Sequence, residues 1–209
     1  MSLTIIYSYT IIKKIQKLEG DKMRISKDPE VRKQEMIDTA MKLFSKKGYE
    51  FTSMSDIAKE MNVVSGLCYR YFKSKEELYK TAVHIYAKEC SAPIIDILSK
   101  DYDSIDECMK VFSEHFINTD GKEKYHDFFH GNNNEFFHRQ LESIMLKNIE
   151  PYLTSLLDKW KEKKLVHINN SEYAAKFILY GQMPIINDDK IPSAEKAEIT
   201  KQFILKILL

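Results

Sequence analysis

Residues 65–70 carry side chains that could read the edges of DNA bases. Ser65 supplies a hydroxyl, Gly66 permits a close backbone approach, and Leu67 has an apolar tip that suits a thymine methyl group. Arg70 is the long charged side chain of this run, and an arginine can donate two parallel hydrogen bonds to guanine. These residues could therefore recognise a DNA duplex if one helix presented them together.

Signals around this run predict a helix-turn-helix. Ser53 and Asp56 have the spacing of a capping box, which predicts a short helix beginning after Ser53. Asn62 tolerates a positive φ and therefore allows a sharp turn. The next helix is expected over about residues 64–71, and residues 74–77 repeat the capping-box pattern and open another helix.

The helix before this motif is predicted over residues 29–47. Asp28 is a favourable N-cap residue, and Pro29 is tolerated in the first turn because its missing N–H would have no partner there. Gly48 supplies a left-handed stop. The apolar stripe of this helix consists of Ile37, Ala40, Met41 and Phe44.

The segment from about residue 31 to residue 80 resembles the DNA-binding signature of the TetR family. The resemblance is specific because it combines the spacing, the helix caps and an aromatic Tyr-x-Tyr-Phe cluster at residues 69–72. It implies an all-α protein with an N-terminal three-helix DNA-binding domain and a larger helical domain that binds an effector and dimerises. The matching positions are Phe51 to Glu60, Val63, Gly66, Tyr69 to Phe72 and Lys75 to Leu78.

The resemblance implies a homodimeric transcriptional repressor. A small, partly apolar effector would release it from a palindromic operator in double-stranded DNA. An activator or an architectural DNA-binding protein without an effector stays open as the alternative.

The resemblance also implies contacts with the DNA backbone. Tyr69 and Tyr71 would place their hydroxyls on phosphates, and Lys75 would reach a phosphate from the start of the following helix. Ser53 and Ser55 would contact phosphate from the preceding helix. Either tyrosine could instead be a packing residue, and Ser53 is a cap in any case. The reading helix departs from the family pattern at Val64, Leu67 and Cys68.

The rest of the chain is also predicted to be helical. Periodic apolar residues and flanking breakers predict helices over residues 104–116, 122–130, 134–164, 171–182 and 193–208. Pro151 should kink or interrupt the longest of them. We expect a DNA-binding domain at 28–74 and a ligand-binding and dimerisation domain at 75–209. Residues 1–27 are expected to be an added or disordered extension, with Met23 as an alternative start.

Two groups of apolar residues in the second domain are candidates for binding surfaces. Family resemblance, rather than spacing, assigns an effector pocket to some of the aromatic and methionine side chains of the middle helices. The selected residues are Phe112, His115, Phe116, Phe137, Met145 and Trp160. The last two helices carry a wide apolar face that a second subunit could cover. Its residues are Tyr173, Phe177, Tyr180, Ile199, Phe203 and Ile207.

Charge and cysteine usage narrow the class of protein. The net charge is only +1, but residues 1–80 carry +5 and the remainder −4, which favours a DNA-facing N-terminal part. The three cysteines lack any CxxC pairing, so neither a disulfide framework nor a zinc site is indicated, and we expect a cytoplasmic protein. The apolar run over residues 3–12 is too short to span a membrane.

Neither catalysis nor a cofactor is expected from the motifs. The sequence has no P-loop, no Gly-rich dinucleotide turn, no HExxH and no G-x-S-x-G. His126 and His130 have the i, i+4 spacing of metal ligands, with Asp127 and His138 nearby. No thiolate accompanies them, so we expect solvated or pocket histidines rather than a metal site.

Overall fold

The computed structural model describes residues 28–119, 122, 124–131 and 134–209, and all regular structure within them is helical. The all-α prediction is therefore confirmed. The helices are α1 (Pro29–Lys47), α2 (Met54–Glu60), α3 (Ser65–Tyr71), α4 (Lys75–Ser99), α5 (Ile105–Thr119), α6 (His126–Phe129), α7 (Glu135–Glu162), α8 (Ser171–Gly181), α9 (Met183–Ile186) and α10 (Ser193–Leu208). None of these described helices combines the length and apolarity needed to cross a lipid bilayer.

The described residues fall into two units, residues 28–35 and residues 36–209. In the first unit, the Asp28 carboxylate accepts a hydrogen bond from the backbone N–H of Glu30 at 2.8 Å, so Asp28 caps α1 as predicted. One turn further, Arg32 and Glu35 form an ion pair at 3.0 Å. The predictions for residues 1–27 lie outside the described residues.

Local capping signals fix the boundaries of α1 to α4. The Ser53 hydroxyl accepts from the backbone N–H of Asp56 at 3.1 Å, and the Asp56 carboxylate accepts from the backbone N–H of Ser53 at 2.9 Å. Gly48 and Asn62 take the left-handed conformation, with φ of 87° and 54°. At the start of α4, the Ser74 hydroxyl accepts from the backbone N–H of Glu77 at 3.1 Å. These elements confirm the predicted helix-turn-helix.

Three later elements differ from the prediction. The expected helix over 122–130 is reduced in the described residues to the single turn α6, because the Tyr125 backbone N–H donates to the Tyr86 hydroxyl at 3.3 Å. Of the two effects expected of Pro151, a kink or an interruption, the interruption does not occur, because α7 runs unbroken from Glu135 to Glu162. The short helix α9 was not anticipated.

The larger unit has two apolar cores. The first joins buried residues of α1 to α4 with Phe128 and Phe129 of α6 and Leu141 of α7. Phe44 of α1 lies at its centre, with its ring centroid 6.5 Å from that of Tyr79 and 6.1 Å from that of Phe128. The predicted domain boundary after residue 74 therefore lies within a continuous core. The second core joins the end of α4 with α5, α7, α8 and α10.

Candidate nucleic-acid interface and ligand cavity

The helix α3 has one buried face and one open face. Cys68 is fully buried, and Phe72, just after the helix, is almost fully buried in the first core. On the other face, Gly66 and Arg70 are exposed, and no atom lies within 4 Å of the position that a Cβ of Gly66 would occupy. This packing orients α3 firmly and leaves its outer face free to approach another molecule.

The residues of α3 that are predicted to contact DNA bases or phosphates are exposed to different degrees. Tyr69 is 52% exposed, whereas Tyr71 is half-buried and packs against the first core. Leu67 is also half-buried and contacts that core, so part of its side chain is unavailable to a ligand. Ser65 is half-buried, and its hydroxyl lies 3.5 Å from the hydroxyl of Ser55 at the start of α2. The hydroxyls of both helices therefore lie on one surface.

The Ser53 hydroxyl is engaged within its own cap. It donates to the Asp56 carboxylate at 2.6 Å while accepting from the Asp56 backbone. These hydrogen bonds hold the pKa of Asp56 below its usual range, and Lys47 at 3.7 Å adds to the effect. Ser53 thus fixes the start of α2, whereas the hydroxyl of Ser55 is exposed and takes no part in this cap.

Lys75 is held in place by the turn at residues 49–50, a contact that the sequence did not predict. Its ammonium donates to the backbone carbonyl of Tyr49 at 2.6 Å and lies 3.5 Å from that of Glu50. It also lies 4.2 Å from the centre of the Tyr49 ring, which adds a cation–π contact. The ammonium therefore links the start of α4 to the turn after α1, and a lone sequence offers no signal for this contact between residues 26 apart.

A cavity of about 1460 Å³ lies among the helices α4 to α10. Five of the six predicted effector residues line it, namely Phe112, His115, Phe116, Met145 and Trp160. Phe137 is not among the lining residues. Its ring packs 5.0 Å from that of Tyr79 and 5.3 Å from that of Phe128, in the first core.

One face of α10 also lines the cavity and was missed by the sequence analysis. Lys196, Thr200, Ile204 and Leu208 follow each other at intervals of four residues. Lys196 and Thr200 are each only 6% exposed. Among the described residues, no hydrogen-bond partner is found for the Thr200 hydroxyl or for the indole N–H of Trp160. The i, i+4 spacing was the available signal, but a lysine at such a position is usually read as solvent-facing.

Three histidines cluster at the cavity wall. The ring centroids of His126 and His130 are 4.2 Å apart, and those of His130 and His138 are 4.5 Å apart. No group of three or more potential metal-binding side chains has suitable geometry within the described part of the chain. All three histidines are among the residues that line the cavity.

The predicted dimerisation residues lie on the surfaces of α8 and α10. Tyr173, Phe177 and Phe203 are 69%, 67% and 57% exposed, and Tyr180 is also exposed. Ile199 and Ile207 are half-buried. Large apolar side chains this exposed are typical of a surface that another protein covers.

Sequence comparison finds relatives of the N-terminal part of the chain. Residues 36–82 match the family model described as bacterial regulatory proteins, tetR family. An uncharacterised HTH-type transcriptional regulator, YuxN of Bacillus subtilis, is 42% identical over 65 residues, which are 31% of this chain and 22% of YuxN. The biofilm operon icaADBC HTH-type negative transcriptional regulator IcaR of Staphylococcus epidermidis is 37% identical over 71 residues, 34% of this chain and 36% of IcaR. The chain thus spans about a third or less of these relatives.

Solved structures resemble the chain over nearly its whole length. A TetR-family transcriptional regulator of Pectobacterium atrosepticum has a TM-score of 0.63 at 17% identity, covering 89% of this chain and 98% of that protein. The transcriptional regulator FadR of Bacillus subtilis, solved in complex with stearoyl-CoA, has a TM-score of 0.61 at 18% identity, covering 84% and 99%. At these identities the likeness concerns the fold.

Proposed function

We propose that this chain, whose residues 36–82 match the family model of tetR-type bacterial regulatory proteins, is a DNA-binding transcriptional regulator. The observation that carries the proposal is the open face of α3, where Gly66, Tyr69 and Arg70 are exposed on a helix held by a buried opposite face. A rigid helix with small and charged side chains outward is what entry into a major groove requires. The proposal includes a cytoplasmic location, where the protein would meet DNA.

Within this proposal, the residues of the interface divide between bases and phosphates. Arg70, Ser65 and Leu67 would contact base edges, and Tyr69, Tyr71 and Ser55 would contact phosphates. Lys75 donates to one carbonyl and lies near a second, but an ammonium has three N–H groups and could also donate to a phosphate. Ser53 would act chiefly by fixing the start of α2.

We further propose that the regulator is a homodimeric repressor. Two copies joined through α8 and α10 would present two reading helices related by a two-fold axis, which matches a palindromic operator. The exposed aromatic residues of those helices support this arrangement. The similarity to IcaR, a negative transcriptional regulator, supports repression rather than activation.

The cavity supports control by a small molecule. The helix α4 begins at Lys75, next to α3, and its later residues Tyr86, Cys90 and Leu98 line the cavity. A ligand that moved α4 would therefore move α3 as well. Separating the two reading helices beyond the spacing of successive major grooves, roughly 34–36 Å, would release the DNA. FadR, whose fold is similar, was solved in complex with stearoyl-CoA, a large ligand that carries a long acyl chain.

The proposal is tested by selecting binding sites from a random pool of DNA duplexes and measuring affinity by fluorescence anisotropy. Arg70→Ala should weaken binding to the selected duplex by about 1–3 kcal/mol and relax its sequence preference. The control Arg139→Ala removes an exposed arginine that pairs with Glu135 on α7 and should leave binding unchanged. Failure of the wild-type protein to enrich any duplex would refute the proposed function.

A further inference from the structure

The face of α10 that lines the cavity carries a lysine, Lys196, whose side chain is mostly enclosed by the protein. Lys196 is 6% exposed, and none of the ion pairs formed by the described residues includes it. An ammonium that has no counter-charge in the protein is stabilised only by water or by an anionic ligand. Its neighbour on the helix, Lys201, shows the ordinary alternative, because its ammonium lies 3.2 Å from the Asp106 carboxylate. Lys196 therefore has an unmet requirement for negative charge.

The carboxylates that line the cavity do not meet this requirement. Glu135 forms an ion pair with Arg139 at 2.5 Å. Glu142 accepts a hydrogen bond from the Asn187 side chain at 2.9 Å. Asp189, the third lining carboxylate, is exposed. The cavity wall thus leaves the ammonium of Lys196 available to a ligand.

A second polar group lies one helical turn from Lys196. Thr200 is four residues further along α10, which corresponds to about 6 Å along the helix axis. Its buried hydroxyl lacks a hydrogen-bond partner among the described residues, as does the indole N–H of Trp160, which also lines the cavity. An ammonium and an indole N–H can only donate, and a hydroxyl can donate as well. A ligand that satisfies all of them must supply acceptor atoms.

The same face becomes apolar beyond Thr200. Ile204 and Leu208 continue this face toward the end of the helix. The face extends about 18 Å along the helix axis, with its polar residues at one end and its apolar residues at the other. Leu156 and Leu157 of α7 add apolar wall. The volume of about 1460 Å³ exceeds that of typical drug-sized sites, so an extended ligand fits.

We infer that the cavity binds an anionic amphiphile whose carboxylate accepts hydrogen bonds from Lys196 and Thr200 while its apolar chain lies along Ile204 and Leu208. This inference rests on the proposed function, because it names the chemical class of the effector. The charge of the head group and the length of the apolar chain together define that class.

The inference is tested by calorimetry on the full chain with dodecanoate and with dodecan-1-ol, both below their aggregation concentrations. The two probes share a chain length and differ in the charge of the head group. Dodecanoate should bind about tenfold or more tightly than the alcohol, since a charge-assisted hydrogen bond replaces a neutral one. Equal affinities, or no binding of dodecanoate, would overturn the inference.

Substitutions of Lys196 test whether this residue causes the preference for dodecanoate over dodecan-1-ol. Lys196→Met keeps the aliphatic stem and should abolish the preference for dodecanoate, whereas Lys196→Arg should retain it. Lys201→Met is the matched control, because Lys201 is on the same helix but is paired with Asp106. Retention of the preference in Lys196→Met would overturn the inference, and melting temperatures verify that each variant is folded. Binding to the selected duplex is measured in parallel, so a regulator that binds DNA but not dodecanoate refutes this inference alone.

Discussion

The Tyr125 hydroxyl donates a hydrogen bond to the Asp38 carboxylate, which joins residues 87 positions apart in the chain. The ammonium of Lys124 lies 2.8 Å from the same carboxylate oxygen. Asp38 is on α1, and Tyr125 immediately precedes α6, whose His126 and Phe129 line the cavity. The contact therefore connects the helix that precedes the helix-turn-helix with the wall of the cavity, by a path that does not use α4.

Removing this hydrogen bond should destabilise the protein. Tyr125→Phe leaves the ring in place and should lower the free energy of unfolding by about 1.5–3 kcal/mol, the range for a hydrogen bond to a charged group. Urea denaturation measures the change. Tyr152→Phe, at an exposed tyrosine of α7, is the matched control and should be neutral. A variant as stable as the wild type would show that solvent replaces the Asp38 contact without cost.

Buried acids of high pKa should make the protein sensitive to alkali. Burial raises the pKa of the Cys108 thiol to about 12, from an ordinary value of 9.0. The folded state holds this proton while the unfolded chain releases it, so the contribution of Cys108 to stability is constant below about pH 9 and is lost as the pH rises toward 12. Burial also raises the pKa of Tyr125, and the Asp38 carboxylate adds to the effect. Ionisation of Tyr125 on unfolding extends the loss of stability above pH 10.

The contribution of Cys108 can be isolated by substitution. Between pH 9 and 10.5, Cys108→Ala should reduce the downward slope of the unfolding free energy by up to about 1.4 kcal/mol per pH unit, which corresponds to one proton. Val111→Ala also truncates a side chain packed against the second core, and it should lower stability equally at every pH. An unchanged slope in Cys108→Ala would mean that the thiol titrates normally in the folded protein.

Local signals in the sequence predicted most of the helical boundaries. The Ser53 and Asp56 box, the left-handed Asn62 and the stop at Gly48 act over a few residues, so their outcome hardly depends on the rest of the fold. The prediction was wrong for the helix over 122–130 because Tyr125 uses its backbone N–H in a contact with Tyr86, 39 residues away. Such a competing long-range partner cannot be identified from one sequence.

The cavity was only partly predictable for a similar reason. Aromatic residues such as Phe112 and Phe116 indicate apolar space, and they do line the cavity. Phe137 has the same composition signal but packs in the first core, because the face of α7 on which it lies turns toward Tyr79. The sequence did not indicate that Lys196 lines the cavity, because lysine is usually exposed to solvent. Its burial depends on how α10 docks rather than on the local sequence.

Lys75 should contribute to DNA binding through charge. Lys75→Ala should reduce the slope of log affinity against log salt concentration by about 0.9, the value for one neutralised phosphate. Lys80→Ala is the control, because Lys80 is exposed on the same helix and its ammonium lies 2.5 Å from the Glu76 carboxylate. An unaltered slope for Lys75→Ala would limit this lysine to its structural contact with Tyr49.

The exposed face of α8 and α10 should hold the dimer together. Phe203→Glu puts a charge into the proposed interface and should yield monomers in light scattering at micromolar concentration, because an unpaired buried charge is costly. Phe136→Glu is the matched control, since Phe136 on α7 is 65% exposed, similar to the 57% of Phe203, but lies outside the proposed interface. A monomeric wild-type protein would refute both the dimer and the palindromic operator.

Ligand and DNA should weaken each other's binding by the same factor. The helix α4 begins beside α3 and lines the cavity, so a ligand that prefers one position of α4 changes the affinity for DNA. Thermodynamic linkage then requires the selected duplex to reduce dodecanoate affinity as much as dodecanoate reduces duplex affinity, typically by about 5–150-fold. Calorimetry with dodecanoate, with and without saturating duplex, measures one side of this cycle, and anisotropy measures the other. In the Arg70→Ala variant, the duplex should no longer reduce the affinity for dodecanoate. The affinity for dodecanoate without DNA should equal that of the wild type. If dodecanoate binds with equal affinity to the free and the DNA-bound wild-type protein, its occupation of the cavity does not release the DNA.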